Sequence, residues 1–260
     1  MNDKNQAKPA TKVAIVTGGS RGLGRNTVIA LARQGVDSIF TYHTNKAEAD
    51  ATVAAVAELG PKAVALQLDT GDTSAFEAFA AAVTEALAAT WDRDRFDYLV
   101  NNAGTGHGSP IATTTEADFD RLYNIHLKGV FFLTQRLLPL MNDGGRIVNI
   151  SSGLTRFSLP GSAAYAAMKG AIEVLTRYMA KELGARGIAA NTVAPGAIET
   201  DFGGGRVRDN QDMNKFVASV TALGRAGLPD DVGPMIASLL SGDNRWVTGQ
   251  RIEVSGGMFM

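Results

Sequence analysis

A parallel α/β sheet wound on both faces by helices is the fold class this chain predicts, on three observations. Strand and helix patterns alternate from end to end, the strand patterns are short and continuously apolar, and no shift in composition divides the 260 residues. Seven strands are expected: Val13 to Thr17, Ser38 to Tyr42, Ala63 to Leu68, Tyr98 to Asn101, Arg146 to Ser151, Ile188 to Val193 and Arg251 to Val254. Helical periodicity falls between them at about 22–34, 46–59, 74–89, 117–141, 162–184 and 230–241. The fourth helix is the longest, with Phe119, Leu122, Val130, Leu133, Leu137 and Met141 on one stripe and His126 among them. Residues 1–11 are polar and read as a loose tail, which leaves 12–260 as a single domain. Residues 197–228 interrupt the alternation with Gly203-Gly204-Gly205, a polar run and a short helical pattern, and are expected to form a mobile lid.

Composition narrows the partners. Charged residues are 20% and the net charge is −1, so there is no basic field to attract nucleic acid or an anionic membrane. Without cysteine there is no disulfide, thiolate nucleophile or Cys-ligated metal, and three scattered histidines give no ligand set; no metal is expected. The polar start lacks the apolar stretch of a secretory signal. The most apolar later stretch, Gly129 to Met141, is broken by Gln135, Arg136 and Pro139 and is far too short for a bilayer. A cytoplasmic protein is the expectation.

The first strand runs into Gly18-Gly19-Ser20-Arg21-Gly22-Leu23-Gly24 and then a helix, so backbone N–H groups face whatever sits at the turn, and a pyrophosphate fits that place. The glycines let backbone approach phosphate and helix approach strand. The end of the second strand selects the dinucleotide, because a carboxylate there would accept a ribose 2′-OH and repel a 2′-phosphate. That end reads Thr41-Tyr42-His43-Thr44-Asn45-Lys46, and Asp37 comes too early. With Arg21 in the turn, hydroxyl, amide and basic groups point to NADP(H) over NAD(H).

Tyr165 and Lys169 lie four apart on a predicted helix and share a face, with Ser152 thirteen residues upstream. A free phenol, at about 10, is too weak an acid for proton exchange near neutrality. A neighbouring ammonium is expected to bring it down, while a serine hydroxyl holds a substrate oxygen against the phenol. A helix-surface pair would show the same spacing, so the motif depends on its context.

That context resembles the short-chain dehydrogenase/reductase family over nearly the whole chain, from Lys12 to Met260. The family's Thr-Gly-x-x-x-Gly-x-Gly appears as Thr17 to Gly24, its Asn-Asn-Ala-Gly as Asn101 to Gly104, its Ser with Tyr-x-x-x-Lys as Ser152, Tyr165 and Lys169, and its Pro-Gly segment as Pro195 to Thr200. The resemblance implies a Rossmann-type nucleotide-binding sheet and subunits paired as homodimers or homotetramers. It implies that Asp69 and Thr70 flank the adenine, and that Asn102, Ala103 and Gly104 line the cofactor. It also implies that Pro195 and Gly196 lead into Ile198 and Thr200, which hold the nicotinamide amide, and that Lys169 bonds the ribose. The reaction implied joins a ketone and a secondary alcohol by hydride transfer, with a 3-oxoacyl thioester, a sugar or a small ketone all open as substrate. One position departs from the family: where it has Asn in Asn-Leu-x-Gly, positioning a relay water, this chain has His126-Leu127-Lys128-Gly129. An imidazole can bond water too, but a core histidine would look the same, and a charged one would oppose Lys169. His107, Arg206 and Arg208 are available to an anionic substrate or simply face solvent. Two rivals remain: a sugar-nucleotide epimerase or dehydratase, disfavoured by the short stretch after Thr200, and a non-catalytic NADP sensor or scaffold.

Overall fold

The apolar runs become strands of one sheet, the inner ones buried on both faces and the two edge strands half-buried. In a computed structural model describing residues 11–106 and 108–260, these are β1 (Val13–Val16), β2 (Asp37–Tyr42), β3 (Ala63–Gln67), β4 (Phe96–Asn101), β5 (Met141–Ile150), β6 (Ala189–Pro195) and β7 (Arg251–Val254). They pair in parallel, in the order β3-β2-β1-β4-β5-β6-β7. Helices α1 (Gly22–Arg33), α2 (Lys46–Glu58) and α9 (Pro229–Leu240) cover one face; α3 (Phe76–Trp91), α5 (Gly129–Leu137) and α6 (Ala163–Leu183) cover the other. Alternation along β1 assigns its side chains: Ala14 and Val16 join the core under α1 and α9, while Val13 and Ile15 join the core under α3 and α5. This is a Rossmann-type doubly wound sheet of seven strands, as expected. The order reverses between β1 and β4, which opens a crevice at the strand C-termini.

Three expectations change. The helix expected over 117–141 is broken into α4 (Glu116–Tyr123), a π-helical turn (Asn124–Lys128) and α5, and Met141 already begins β5. In the π turn the Gly129 N–H bonds Asn124 O, and Gly129 lies so close to the Thr70 carbonyl that a Cβ would stand 2.0 Å from it. Pro139, in the 3-10 turn Leu138–Leu140, ends the run because it cannot continue the helical ladder. The wide turn carries His126 into the interior, where 1% of it is exposed.

Second, the stretch 197–228 holds two helices where one short helical pattern was expected: α7 (Arg206–Asp209) and α8 (Gln211–Ser219) lie within it, and Ile198 pairs with Gly227 across its base. Third, of the expected tail, Thr11 is held by Arg93, whose guanidinium donates to the Thr11 carbonyl at 3.0 Å. Residues 1–10 and His107 lie outside the described residues.

Candidate active site

The crevice is organised from its β1 side by one hydroxyl. Thr17 Oγ1 accepts the backbone N–H of Asn102 and of Ala103, each at 2.9 Å, while Asn102 Nδ2 donates back to Thr17 O at 2.8 Å and Gly18 O at 3.2 Å. The glycine turn and the Asn-Asn-Ala-Gly segment are thereby one unit. Gly24 sits at its tightest point, where a Cβ would lie 2.0 Å from Gly18 O. Thr41 fixes the turn from β2, accepting Gly18 N–H on its hydroxyl at 2.9 Å and Gly19 N–H on its carbonyl at 2.8 Å. The first N–H groups of α1 have no helical acceptor, and Arg21 at its N-cap position offers no side-chain cap. An anion is what such an end accepts. Asn101, by contrast, faces the core and donates to Thr134 Oγ1 at 3.0 Å and Asn149 Oδ1 at 2.8 Å.

At the end of β2 the structure sorts the expected residues. Asn45 is occupied: its side chain caps α2 by accepting Glu48 N–H at 3.2 Å. Lys46 is paired with Asp50 at 2.7 Å. His43 is exposed, with Nε2 3.6 Å from Asp69, whose other oxygen accepts Gly71 N–H at 2.8 Å. Arg21 makes no ion pair with any described residue. Asp37 is far down the strand, accepting Trp91 Nε1 at 2.6 Å and Lys62 N–H at 2.7 Å, so no strand carboxylate reaches this corner. A dinucleotide fits these features: open helix N–H groups suit its pyrophosphate, and the end of β2 carries His43 with no carboxylate of its own, Asp69 entering from the end of β3.

On the β5 side, Ser152 follows the strand and its hydroxyl accepts Leu154 N–H at 3.2 Å. Tyr165 and Lys169 project from α6 toward it, both buried. Lys169 Nζ donates to Ile150 O at 2.7 Å and lies 5.7 Å from the centre of the Tyr165 ring. Burial draws the Lys169 ammonium down to about 7. The expectation for Tyr165 is reversed: burial against Leu122 and Met168 pushes the phenol above its ordinary value, and the neighbouring Ser152 hydroxyl opposes this only in part. Desolvation is the dominant effect.

His126 enters the same cluster from the π turn. Its ring meets the Tyr165 ring edge-on, 5.1 Å between centres, and its Nε2 lies 2.7 Å from Thr105 O. With the proton on Nε2 donated to that carbonyl, Nδ1 is a buried acceptor with no partner among the described residues. Burial, helped by the Lys169 charge, lowers the imidazole to about 3, so it is neutral and does not oppose the lysine at ordinary pH. Gly104 admits this ring, since a Cβ there would lie 2.7 Å from His126 Cε1.

Residues from the stretch 197–228 form the far wall. Phe202 lies 5.8 Å from the Tyr165 ring, centre to centre. Thr200 is buried, accepts Phe202 N–H at 3.2 Å and approaches Gly22 in the glycine turn; Gly196 N–H donates to Val254 O at 3.0 Å. Arg208 is bound to Asp201 at 2.5 Å and Asp209 at 2.7 Å, and Arg206 is exposed. Sequence reasoning gave no role to Thr17 or Thr41, although both stand in the motif strands; hydroxyls at strand ends beside a glycine turn are the signal.

Residues 18–259 match the family model described as enoyl-(acyl carrier protein) reductase. The chain is 36% identical over 247 residues to an uncharacterized oxidoreductase of Methylorubrum extorquens, covering 95% of this chain and 97% of that one. The chain belongs to the short-chain dehydrogenase/reductase family of oxidoreductases. Among solved short-chain dehydrogenase/reductase structures, LugOII, a promiscuous reductase that catalyses keto-reduction at C1 during lugdunomycin biosynthesis, superposes with a TM-score of 0.92 at 38% identity, covering 97% of this chain and 100% of that one. The angucycline C-6 ketoreductase LanV, solved with bound NADP, gives 0.91 at 31% identity, with 96% of each chain covered. These relatives match the fold end to end. Among the described residues, no helix is long and apolar enough to cross a membrane.

Proposed function

We propose that this short-chain dehydrogenase/reductase is an NADPH-dependent ketoreductase, with residues 12–260 as one catalytic domain, 197–228 as its substrate lid, and a cytoplasmic homodimer or homotetramer as its working form. The observation that carries the reading is the buried cluster of Tyr165 and Lys169 beside Ser152, under His126 and Phe202, at the mouth of a dinucleotide crevice.

NADPH would be held by the α1 N-terminus, Arg21, His43, Asp69 and Thr70 on one side and by Asn102 to Gly104, Ile198, Thr200 and Lys169 on the other, and when bound would supply the hydride. The chain's own residues handle the oxygen and its proton. Ser152 Oγ donates to the carbonyl oxygen and orients it. Tyr165 keeps its proton at working pH because burial raises its phenol, and it releases that proton to the oxygen as charge develops there. Lys169, at about 7, carries an exchangeable proton beside the phenol. His126 stays neutral and offers Nδ1 as an acceptor for a water between Lys169 and solvent, the work of the family's amide.

The wall formed by Phe202, Leu154 and Tyr165 suits a ketone on an apolar, ring-shaped body. Arg208 is tied to two aspartates and Arg206 points to solvent, which weighs against an anionic thioester. LugOII and LanV, both acting on ketones, lend weight to the same substrate class. The rival is a sensor of the same fold that binds NADP without turnover; the buried, unpartnered His126 Nδ1 at the family's amide position keeps it in view.

Loss of NADPH absorbance with a bicyclic aromatic ketone, a 3-oxoacyl thioester and a keto sugar separates these readings. Turnover of the bicyclic ketone is expected; tight binding with no turnover of any ketone would favour the sensor. Fluorescence titration should give NADPH roughly five- to a hundredfold tighter than NADH, from a charge-assisted phosphate contact of ~1–3 kcal/mol. Arg21→Ala should erase most of the difference. Equal affinity in the unaltered protein would sink the cofactor assignment.

A further inference from the structure

The last residues of the chain join the lid to the serine loop. On the lid side, residues 220–223 pair antiparallel with 256–259: Phe259 N–H donates to Val220 O at 2.8 Å, Leu223 N–H to Gly256 O at 3.0 Å, and Thr221 bridges Met258. Val217 of α8 and Met258 are both 3% exposed, so this pairing is part of the packed interior. On the other side, Arg156, four residues after Ser152, donates to Phe259 O at 3.0 Å and Met258 O at 2.5 Å while Glu253 holds the same guanidinium at 2.7 Å. The Phe259 ring lies between the two, 4.7 Å from Phe157 and 6.3 Å from Phe216 of α8, centre to centre. Phe157 in turn packs on Gly153, the residue after Ser152. Phe259 sits at φ +53°, a conformation that costs a bulky residue energy and persists only where surroundings impose it.

We infer that Phe259, held by Arg156, is a positioning residue for substrate: it fixes the lid helix and the Ser152 loop as one body, so that the wall beside Tyr165 and the oxygen-binding serine keep their spacing. This rests on the ketoreductase reading for its effect on catalysis but not for its effect on the fold. Two features favour a coupling role over simple packing. The strained backbone is anchored from both sides, and the start of α8 is tied independently to the lid's base, where Asn214 Nδ2 donates to Glu199 Oε1 at 2.6 Å. Releasing Phe259 therefore frees the C-terminal end of α8 and residues 220–223 while the start of α8 stays tied to the base.

The test compares Phe259→Ala, Phe259→Tyr and Arg156→Lys with the unaltered protein, all NADPH-loaded, by hydrogen exchange and steady-state kinetics. Arg156→Lys keeps a charge for Glu253 but loses the paired carbonyl contacts, and it serves if Phe259→Ala does not fold. Exchange should quicken by about tenfold or more in both 216–223 and 153–157, and KM for the ketone should rise about fivefold. NADPH affinity should stay within about twofold, with Phe259→Tyr close to normal in every respect. Faster exchange confined to 255–260, or to only one of the two segments, would overturn the coupling. If no ketone is turned over, the exchange result still decides the clamp, and it is the ketoreductase reading that falls.

Discussion

Two glycine clusters, alike in sequence, are built on opposite principles. In the turn from Gly18 to Gly24, the backbone is pinned by Thr41, Thr17 and Asn102, and Gly24 has no room for a Cβ beside Gly18 O. In Gly203-Gly204-Gly205, both Gly203 and Gly204 have positive φ and nothing within 4 Å of where a Cβ would stand. Gly19 and Gly24 are glycine because atoms crowd them, Gly203 and Gly204 because the chain turns there in open space. Crowding makes a rigid cradle for a ligand common to many substrates; open space lets the lid differ in shape without disturbing the sheet.

Three substitutions put that contrast under strain, in descending order of effect. Gly24→Ala should destabilise the protein by ~3 kcal/mol or more, because neither the Gly18 carbonyl nor the helix can move away, and NADPH binding should fall with it. Thermal melting with and without NADPH reads both effects, and a near-normal melt would mean the turn is looser than described.

His126→Asn probes the crevice wall through pH. The folded imidazole, at about 3, stays neutral where the unfolded one, at about 6.5, takes up a proton. The unfolded state therefore binds more protons between those values, and stability drains as pH falls through that window. At about 1.4 kcal/mol per pH unit, the unaltered protein should lose ~2 kcal/mol more than His126→Asn between pH 6.5 and 5, measured by denaturant titration. Parallel curves would place the imidazole in contact with water.

Gly204→Ala should cost only ~1 kcal/mol, the strain of a positive φ with no clash behind it, and should leave NADPH affinity unchanged. A loss as large as that of Gly24→Ala would erase the distinction between the clusters.

The same distinction explains what was legible in the sequence. All seven strands follow from short apolar runs, a pattern that local sequence carries by itself, with the inner ones buried on both faces and the edge strands β3 and β7 half-buried. The break at Asn124–Lys128 was not legible, because Leu122, Val130, Leu133 and Leu137 keep helical spacing across it. It accompanies the close approach of Gly129 to Thr70, which lies about sixty residues away in the chain and leaves no local signal. The grouping of Ser152, Tyr165 and Lys169 was legible from spacing, but the direction in which Tyr165 shifts was not. Helix geometry puts the ammonium near the phenol, while the amount of water removed from both depends on Leu122, Met168, His126 and Phe202 closing over them. The engagement of Asn45 as a helix cap was hidden for a milder reason, since the same amide serves a phosphate or a helix N-terminus equally well.

The central claim is that Tyr165 delivers the proton to a substrate oxygen, and Tyr165→Phe tests it most directly because only a hydroxyl is removed from a ring that keeps its contacts with His126 and Phe202. Single-turnover oxidation of NADPH with the best ketone, alongside NADPH titration of the same variant, should show the rate down by about a thousandfold or more and the affinity within about twofold. A variant that retains a tenth of the normal rate would contradict the assignment and move the search for the acid elsewhere in the crevice.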